Sequence, residues 1–270
     1  MISGRFSFRE KTMVYSSFVN NILRCPETGE KLQPIEGGFK RADGKTYNVI
    51  DGILSAVYPP EISGEDKKWN AFYNILAPLY DINEKVMGRL IAGINMIKGR
   101  KEIVGYLNLR SGMKILEVSP GPGVFQKFLR DKIGNDGELV SLDLSLGMLR
   151  QCQRKNGPLK VQLIHGNAQY LPFAENSFDA VFHFGGVNLF NDLQKAIDEF
   201  IRVTKEDGIV SWGDEGFSSD YPNNTRRKIL SKMNPGYIKP RPDVPAAVSE
   251  IKEYKVYNGL GYLVTGIKKT

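Results

Sequence analysis

The sequence predicts a doubly wound α/β fold on a mostly parallel sheet, and three observations carry that prediction. From about residue 111 onward, short apolar runs alternate with helical patterns. The first run, ending at Glu117-Val118, leads into the turn Ser119-Pro120-Gly121-Pro122-Gly123, and a helical pattern opens at Val124. The second run, Leu139-Val140-Ser141-Leu142, ends in Asp143, twenty residues past Gly123. Alternation of this kind gives parallel strands joined by crossovers, with helices on both faces. A glycine turn followed by an acid at the next strand tip is the pattern of a nucleotide-type ligand on such a sheet.

The elements follow in order. Residues 1 to about 22 form a mixed leader with no clear period. Residues 23–58 read as a small β module. Turns are expected at Thr28-Gly29, Gly37-Gly38 and Asp43-Gly44, and β-type runs such as Tyr47-Asn48-Val49-Ile50 lie between them. We therefore divide the chain into residues 1–60, leader and module, and residues 65–270, the main domain. Pro59-Pro60 and Ser63-Gly64 mark the link. Residues 65–110 are expected to be a helical lid. Trp69, Phe72, Tyr73, Leu76 and Tyr80 recur at three-and-four spacing, and Met87, Leu90, Ile91, Ile94 and Ile97 repeat the pattern. Strands are expected at residues 115–118, 139–142, 161–164, 180–184 and 209–212. Leu193, Ala196, Ile197, Phe200 and Ile201 place a helix over 191–203. Residues 250–258 and 262–269, around Gly259-Leu260-Gly261, read as a β-hairpin that closes the sheet antiparallel.

Composition narrows the class. With 41% hydrophobic and 25% charged residues, the chain has an ordinary globular make-up. No apolar run approaches the ~20 residues of a membrane-spanning helix. The charged N-terminus lacks the apolar core of a signal peptide, so a cytoplasmic location is expected. Cys25 and Cys152 are the only cysteines, too few for a disulfide framework or a cysteine-rich zinc site, and no metal is expected. The net charge is +7, and Arg226, Arg227, Lys228, Lys232, Lys239 and Arg241 run without an intervening acid. That cluster leaves nucleic acid, an anionic membrane surface and an acidic small molecule open as partners.

The loop itself discriminates between cofactors. Gly121 and Gly123 allow a sharp bend and close approach to a ligand, and the helix after them points free N–H groups the same way. Asp143 can accept hydrogen bonds from both ribose hydroxyls. A dinucleotide site calls for a third small residue, but that place holds Gln126. Glu117 at the loop's start suits a cationic ligand better than a pyrophosphate, and S-adenosylmethionine carries both an ammonium and a sulfonium. Asn167, after the third strand, is short and bears both donor and acceptor for an adenine edge.

With these residues in view, the chain resembles the class I S-adenosylmethionine-dependent methyltransferases, a Rossmann-like fold, and most of all the ubiquinone/menaquinone C-methyltransferase group. The matching pieces are Ala77-Pro78-Leu79-Tyr80-Asp81, the Glu117–Gly123 loop, Asp143 with Met148, Gly166-Asn167-Ala168 through Leu171-Pro172-Phe173, and Ser177-Phe178-Asp179. Phe184-Gly185 with Asn188, and Arg202-Val203 with Lys205 and Gly208, complete them. The resemblance implies S-adenosylmethionine contacts at Tyr80, Glu117, Gly121, Gly123, Asp143, Leu144, Asn167, Ala168 and His183. Ser119 lies in the same loop but stands where glycine is usual. A second resemblance covers Cys25-Pro26-Glu27-Thr28-Gly29 and Tyr47 to Ile53. It is to a zinc-ribbon-derived module attached to some methyltransferases, here without its other metal ligands.

Methyl transfer from a sulfonium needs positioning and, for many acceptors, removal of a proton. His183, Asp214 and Glu215 fall at strand ends on the ligand side and are the candidates for that step. Residues 216–248, with Tyr221, Met233, Tyr237, Ile238 and the basic cluster, are expected to cover the substrate. The expected activity is methylation of a small aromatic or isoprenoid-like molecule. An RNA or protein methyltransferase and a catalytically silent module that keeps the fold are the alternatives. The Asn/Asp-Pro-Pro-Tyr/Phe signature of planar-amine methylation is replaced by Phe184-Gly185-Gly186-Val187-Asn188.

Overall fold

The computed structural model describes residues 15–77, 94–233 and 235–270. The leader to residue 14, residues 78–93 of the expected lid and the candidate contact Tyr80 lie outside the described residues.

A short helix α1 (Ser17–Ile22) precedes four strands, β1 (Gln33–Ile35), β2 (Gly38–Lys40), β3 (Thr46–Ile50) and β4 (Ile53–Ser55). Helices α2 (Gly64–Leu76) and α3 (Met96–Tyr106) follow. The alternating part runs β5 (Lys114–Val118), α4 (Gln126–Ile133), β6 (Glu138–Asp143), α5 (Leu146–Asn156), β7 (Gln162–His165), β8 (Phe178–Phe184), α6 (Leu193–Val203) and β9 (Thr204–Glu215). Helix α7 (Thr225–Met233) and strands β10 (Val248–Val256) and β11 (Gly261–Lys268) complete the chain.

The eleven strands among the described residues join one sheet, in the order β1-β2-β3-β4-β7-β6-β5-β8-β9-β11-β10. Strands β7, β6, β5, β8 and β9 are mutually parallel, as expected from the alternation. The C-terminal hairpin is antiparallel, and its second strand, β11, lies between β9 and β10. The order reverses at β5, with β6 on one side and β8 on the other. A reversal of this kind opens a crevice beyond the strand ends, where ligands bind.

Each strand of the alternating part is buried on both sides. Leu116, Val118, Val140, Leu142, Val181 and Trp212 face α1, α6 and the N-terminal module. Ile115, Leu139, Ala180 and Phe182 face α3 and α4. This explains the unbroken apolar runs, since a parallel strand covered twice has no polar face. Helix α6 shows the matching stripe, with Ala196, Ile197, Phe200 and Ile201 buried. Its N-terminus is capped by Asp192, whose side chain accepts from the Lys195 amide.

The strands of the N-terminal module are hydrogen-bonded onto the edge of the main sheet. Strand β4 pairs parallel with β7, Leu54 opposite Ile164 and Ser55 opposite His165. The aromatic stripe of α2 differs from a core-facing one. Phe72 is 48% exposed and the neighbouring Ile75 81%, while the one fully buried residue of the helix is Asp66. Trp69, Tyr73 and Leu76 are half-buried, and polar contacts from Asp66 and Asn74 add to them in holding α2 to the loops beyond the strand ends.

Candidate functional site

The loop after β5 is built from left-handed residues. Ser119, Gly121 and Gly123 all take positive φ, at 54°, 55° and 80°. Such angles cost a residue with a Cβ about 1–2 kcal/mol, which is why glycine is usual at position 119. The Ser119 amide donates to the Leu142 carbonyl at 2.7 Å, tying the loop to β6. A Cβ at Gly123 would collide with Asn156, Cys152 and Gln126, whereas one at Gly121 would meet nothing within 4 Å. Gly123 is therefore needed for packing, and Gly121 borders open space at the crevice.

Two buried acids flank this loop. Glu117, at the end of β5, is 1% exposed. Its Oε2 accepts from Ser141 Oγ at 2.8 Å, and Ser141 Oγ in turn accepts from Gln126 Nε2 at 3.0 Å. Its Oε1 has no protein partner. Burial pushes the carboxyl up to about 7, against the opposing hydrogen bonds from Ser141 and Gln126. Asp143, at the tip of β6, accepts from the Ser145 amide at 2.8 Å through Oδ1 and from the Gly121 amide at 3.0 Å through Oδ2. Burial raises it to about 6. Neither acid is paired with a basic side chain among the described residues.

Asn167, after β7, belongs to a buried amide network. Its Nδ2 donates to Asp66 Oδ2 at 3.3 Å, and its Oδ1 accepts from the Gln169 amide at 3.0 Å. Gln169 Nε2 donates to Asp66 Oδ2 at 2.7 Å, and Asp66 Oδ1 accepts from the Asn191 amide at 3.0 Å. Asp66 thereby clamps the start of α2 to the loops after β7 and β8. Farther along α2, Asn74 Oδ1 accepts from Ser145 Oγ at 2.9 Å and from the Gly147 amide at 2.8 Å. The helix thus also reaches the N-terminus of α5.

The three candidate proton acceptors differ in setting. His183 is fully buried, packed against Phe190 and Phe200 with ring centroids 5.2 and 5.9 Å away. Its Nδ1 donates to the Val118 carbonyl at 3.0 Å, and burial pulls its pKa down to about 4. Asp214 is buried and accepts from the amides of Gly186, Glu215 and Asn188 at 2.9, 2.8 and 3.1 Å. Its carboxylate organises the 185–188 turn. Glu215 is exposed at the end of β9. Its charge, with that of Asp214, adds to the burial that raises the Tyr73 hydroxyl, and it likewise helps raise Tyr237. Tyr73, Tyr237 and Glu215 therefore share one neighbourhood over the strand ends. Phe217 stacks on Tyr237 at 4.9 Å and lies 4.8 Å from Tyr221, with Arg227 4.4 Å above it.

The basic cluster is dispersed. Arg227 donates to the Tyr221 carbonyl, Lys239 to the Asn188 carbonyl, and Arg241 pairs with Glu253. Lys228 and Lys232 stay exposed on α7. No described helix is long and apolar enough to cross a membrane.

Residues 116–211 match the family model described as a methyltransferase domain. This part of the chain is a methyltransferase domain. Curated relatives include demethylmenaquinone methyltransferases. That of Geobacillus stearothermophilus is 34% identical over 151 residues, covering 55% of this chain and 62% of that protein. That of Desulfitobacterium hafniense (strain Y51) is 31% identical over 157 residues, covering 56% and 60%. The chain thus spans about three fifths of the length of these relatives. Among solved structures, a SAM-dependent methyltransferase from Aquifex aeolicus matches with a TM-score of 0.50 at 16% identity, covering 67% of this chain and 93% of that one. Phosphoethanolamine N-methyltransferase 2 of Haemonchus contortus matches with a TM-score of 0.56 at 14% identity, covering 79% and 62%. The fold is shared with both. The sequence reading of a methyltransferase domain close to the quinone methyltransferases is borne out, and S-adenosylmethionine is the cofactor that this reading implies.

The methyltransferase domain fits that cofactor on its own geometry. Glu117 Oε1 is a buried acceptor with no hydrogen-bond donor among the described residues, and the Gly121 position is open. Each Asp143 oxygen takes only one backbone amide, which leaves lone pairs for hydroxyls. Two acids with no cation paired to them among the described residues would repel a pyrophosphate.

Sequence reasoning brought Glu117, Ser119, Gly121, Gly123, Asp143 and Leu144 to one loop pair, and Asn167 and Ala168 to the next strand end. It missed Ser141, Ser145, Asp66, Asn74 and Gln169. Ser141 had a readable signal, a lone polar residue inside an apolar strand. Asp66 had none, because acids are ordinary in a helix's first turn.

Proposed function

We propose that this chain methylates a ring carbon of a small quinone-type aromatic, with S-adenosylmethionine as donor. The observation that carries the reading is the pair of buried acids, Glu117 and Asp143, with no basic partner among the described residues, at adjacent strand tips around a left-handed loop. The names of the curated relatives support the quinone class, and the aromatic wall of Phe217, Tyr221 and Tyr237 beside Tyr73 suits a flat ring.

In this reading Glu117 holds the cofactor's ammonium, and Asp143 holds the ribose hydroxyls. Asn167 and Ala168 border the adenine, and Ser119 and Leu144 contribute backbone. When bound, the cofactor supplies an activated methyl on a sulfonium. The chain's own part is to hold the ring in line and to accept the proton released from the ring carbon. Glu215 is favoured for that proton, because it is exposed beside Tyr73 and Tyr237 over the strand ends. Asp214 is committed to three backbone amides, and His183 is buried between aromatic rings.

The test is transfer of labelled methyl from S-adenosylmethionine to a demethylated naphthoquinol, against an RNA transcript and a peptide pool as competing acceptors. Label in the quinol, lost in Glu215→Gln, supports the reading. Label in RNA or peptide and none in the quinol overturns it.

A further inference from the structure

Among the contacts of the N-terminal module, a short chain of atoms reaches the loops after β6 and β7. Strand β4 lies parallel to β7 and brings Ser55 beside His165. The Ala56 amide donates to the His165 carbonyl at 2.8 Å, continuing the ladder to the strand tip. Ser55 Oγ lies 3.3 Å from His165 Nδ1, and His165 Nε2 lies 3.0 Å from the Leu144 carbonyl. A carbonyl oxygen only accepts, so Nε2 carries the hydrogen. Nδ1 is then the acceptor, and the Ser55 hydroxyl donates to it. Leu144 sits directly after Asp143, and the Asp143 carbonyl accepts from the Gly166 amide at 3.0 Å.

His165 therefore stands between the module and the two loops that carry Asp143 and Asn167. Further contacts flank it. Tyr15 Oη accepts from the Leu54 amide and donates to the Leu163 carbonyl, both at 2.7 Å. Tyr58 packs edge-on against Tyr170, just past Asn167, with centroids 5.0 Å apart. The module also covers β7, which would otherwise be an open sheet edge.

We propose that the module is a built-in activator of cofactor binding, acting through Ser55 and His165. His165 is a positioning residue: its Nε2–H holds the Leu144 carbonyl and with it the Asp143 carboxylate, and the Ser55 hydroxyl, donating to Nδ1, holds the imidazole ring in place. The proposal rests on the reading of Asp143 and Leu144 as cofactor-binding.

Its test uses the full chain and calorimetric titration with S-adenosylhomocysteine. One ordinary hydrogen bond corresponds to roughly 3- to 10-fold in affinity. Ser55→Ala is expected to weaken binding by about that factor, and Ser55→Thr, which keeps the hydroxyl, to restore it to within about twofold. His165→Asn keeps an acceptor for Ser55 but loses the donor to Leu144, whereas His165→Gln keeps the donor. Asparagine is therefore expected to weaken binding more than glutamine. The ring ¹⁵N shifts of His165 should report the Nε2–H tautomer in the unmodified chain, and an Nδ1–H tautomer there would overturn the His165–Leu144 contact. Asp51→Ala, which removes an exposed module-to-α5 ion pair with Arg150, should leave affinity unchanged. If the unmodified chain fails to bind S-adenosylhomocysteine, the cofactor reading falls. If it binds, and folded Ser55→Ala and His165→Asn bind equally well, the positioning role falls. Should Ser55→Ala fail to fold, the order of the two His165 variants decides.

Discussion

Replacing Glu117 with glutamine should strengthen the free protein while removing its affinity for the cofactor. The native fold buries this carboxyl completely and raises it from its ordinary range to about 7. The folded state therefore binds a proton that the unfolded chain releases, and stability falls as pH rises from about 4.5 to 7. At roughly 1.4 kcal/mol per pH unit, Glu117 destabilises the free protein at pH 8 by about 3 kcal/mol. The glutamine variant is neutral at every pH and keeps an acceptor for Ser141. It should match the unmodified chain near pH 4.5 and exceed it at pH 8, by roughly 5–10 °C in melting midpoint for a chain of this size. Asp143, raised to about 6 by burial, adds an earlier decline that both proteins share. Thermal denaturation of both proteins across pH 4.5–8.5, without ligand, reads the difference. Parallel curves would refute the claim that the acid is held buried without a counter-charge.

Other perturbations separate binding from folding. Gly121→Ala should cost about 1 kcal/mol through its positive φ yet lose most cofactor affinity, because the new methyl enters the crevice. Gly123→Ala should instead compromise folding, since its methyl collides with Asn156, Cys152 and Gln126; equal stability losses in the two variants would contradict this. Ser119→Gly should raise stability by about 0.5–1 kcal/mol in denaturant titration, as left-handed strain is relieved against some added chain entropy. Cofactor binding should release protons near pH 7, because a cation beside Glu117 lowers its pKa. Calorimetry in buffers of different ionisation enthalpy measures that release, and affinity should climb from pH 5.5 to 8. A binding constant flat with pH would argue against the Glu117–ammonium contact.

How much of this was written in the sequence varies with range. The strands β5 to β9 were readable because burial on both faces forces continuous apolar runs, and α6 because its stripe is strict. The Glu117 loop and Asp143 were readable because a left-handed turn needs glycines and an acid ends the next apolar run twenty residues past Gly123. Two features were not readable. Nothing local in Ile53-Leu54-Ser55 says that it pairs with residues more than a hundred positions later, so the join between β4 and β7 is a tertiary fact. Trp69, Phe72, Tyr73 and Leu76 of α2 follow core spacing, yet Phe72 stays exposed and the others are only half-buried. Periodicity reports a face, and the neighbours decide whether it is covered. Asp66 and Gln169 were missed for the same reason, since their network joins chain segments that lie far apart.

The central claim is that the loop after β5 takes a sulfonium cofactor and not a dinucleotide. Titrating the full chain with S-adenosylmethionine and, separately, with NAD tests it directly. The account predicts saturable binding of S-adenosylmethionine that is lost in Asp143→Ala, with no heat from NAD. Saturable binding of NAD with none of S-adenosylmethionine would contradict it.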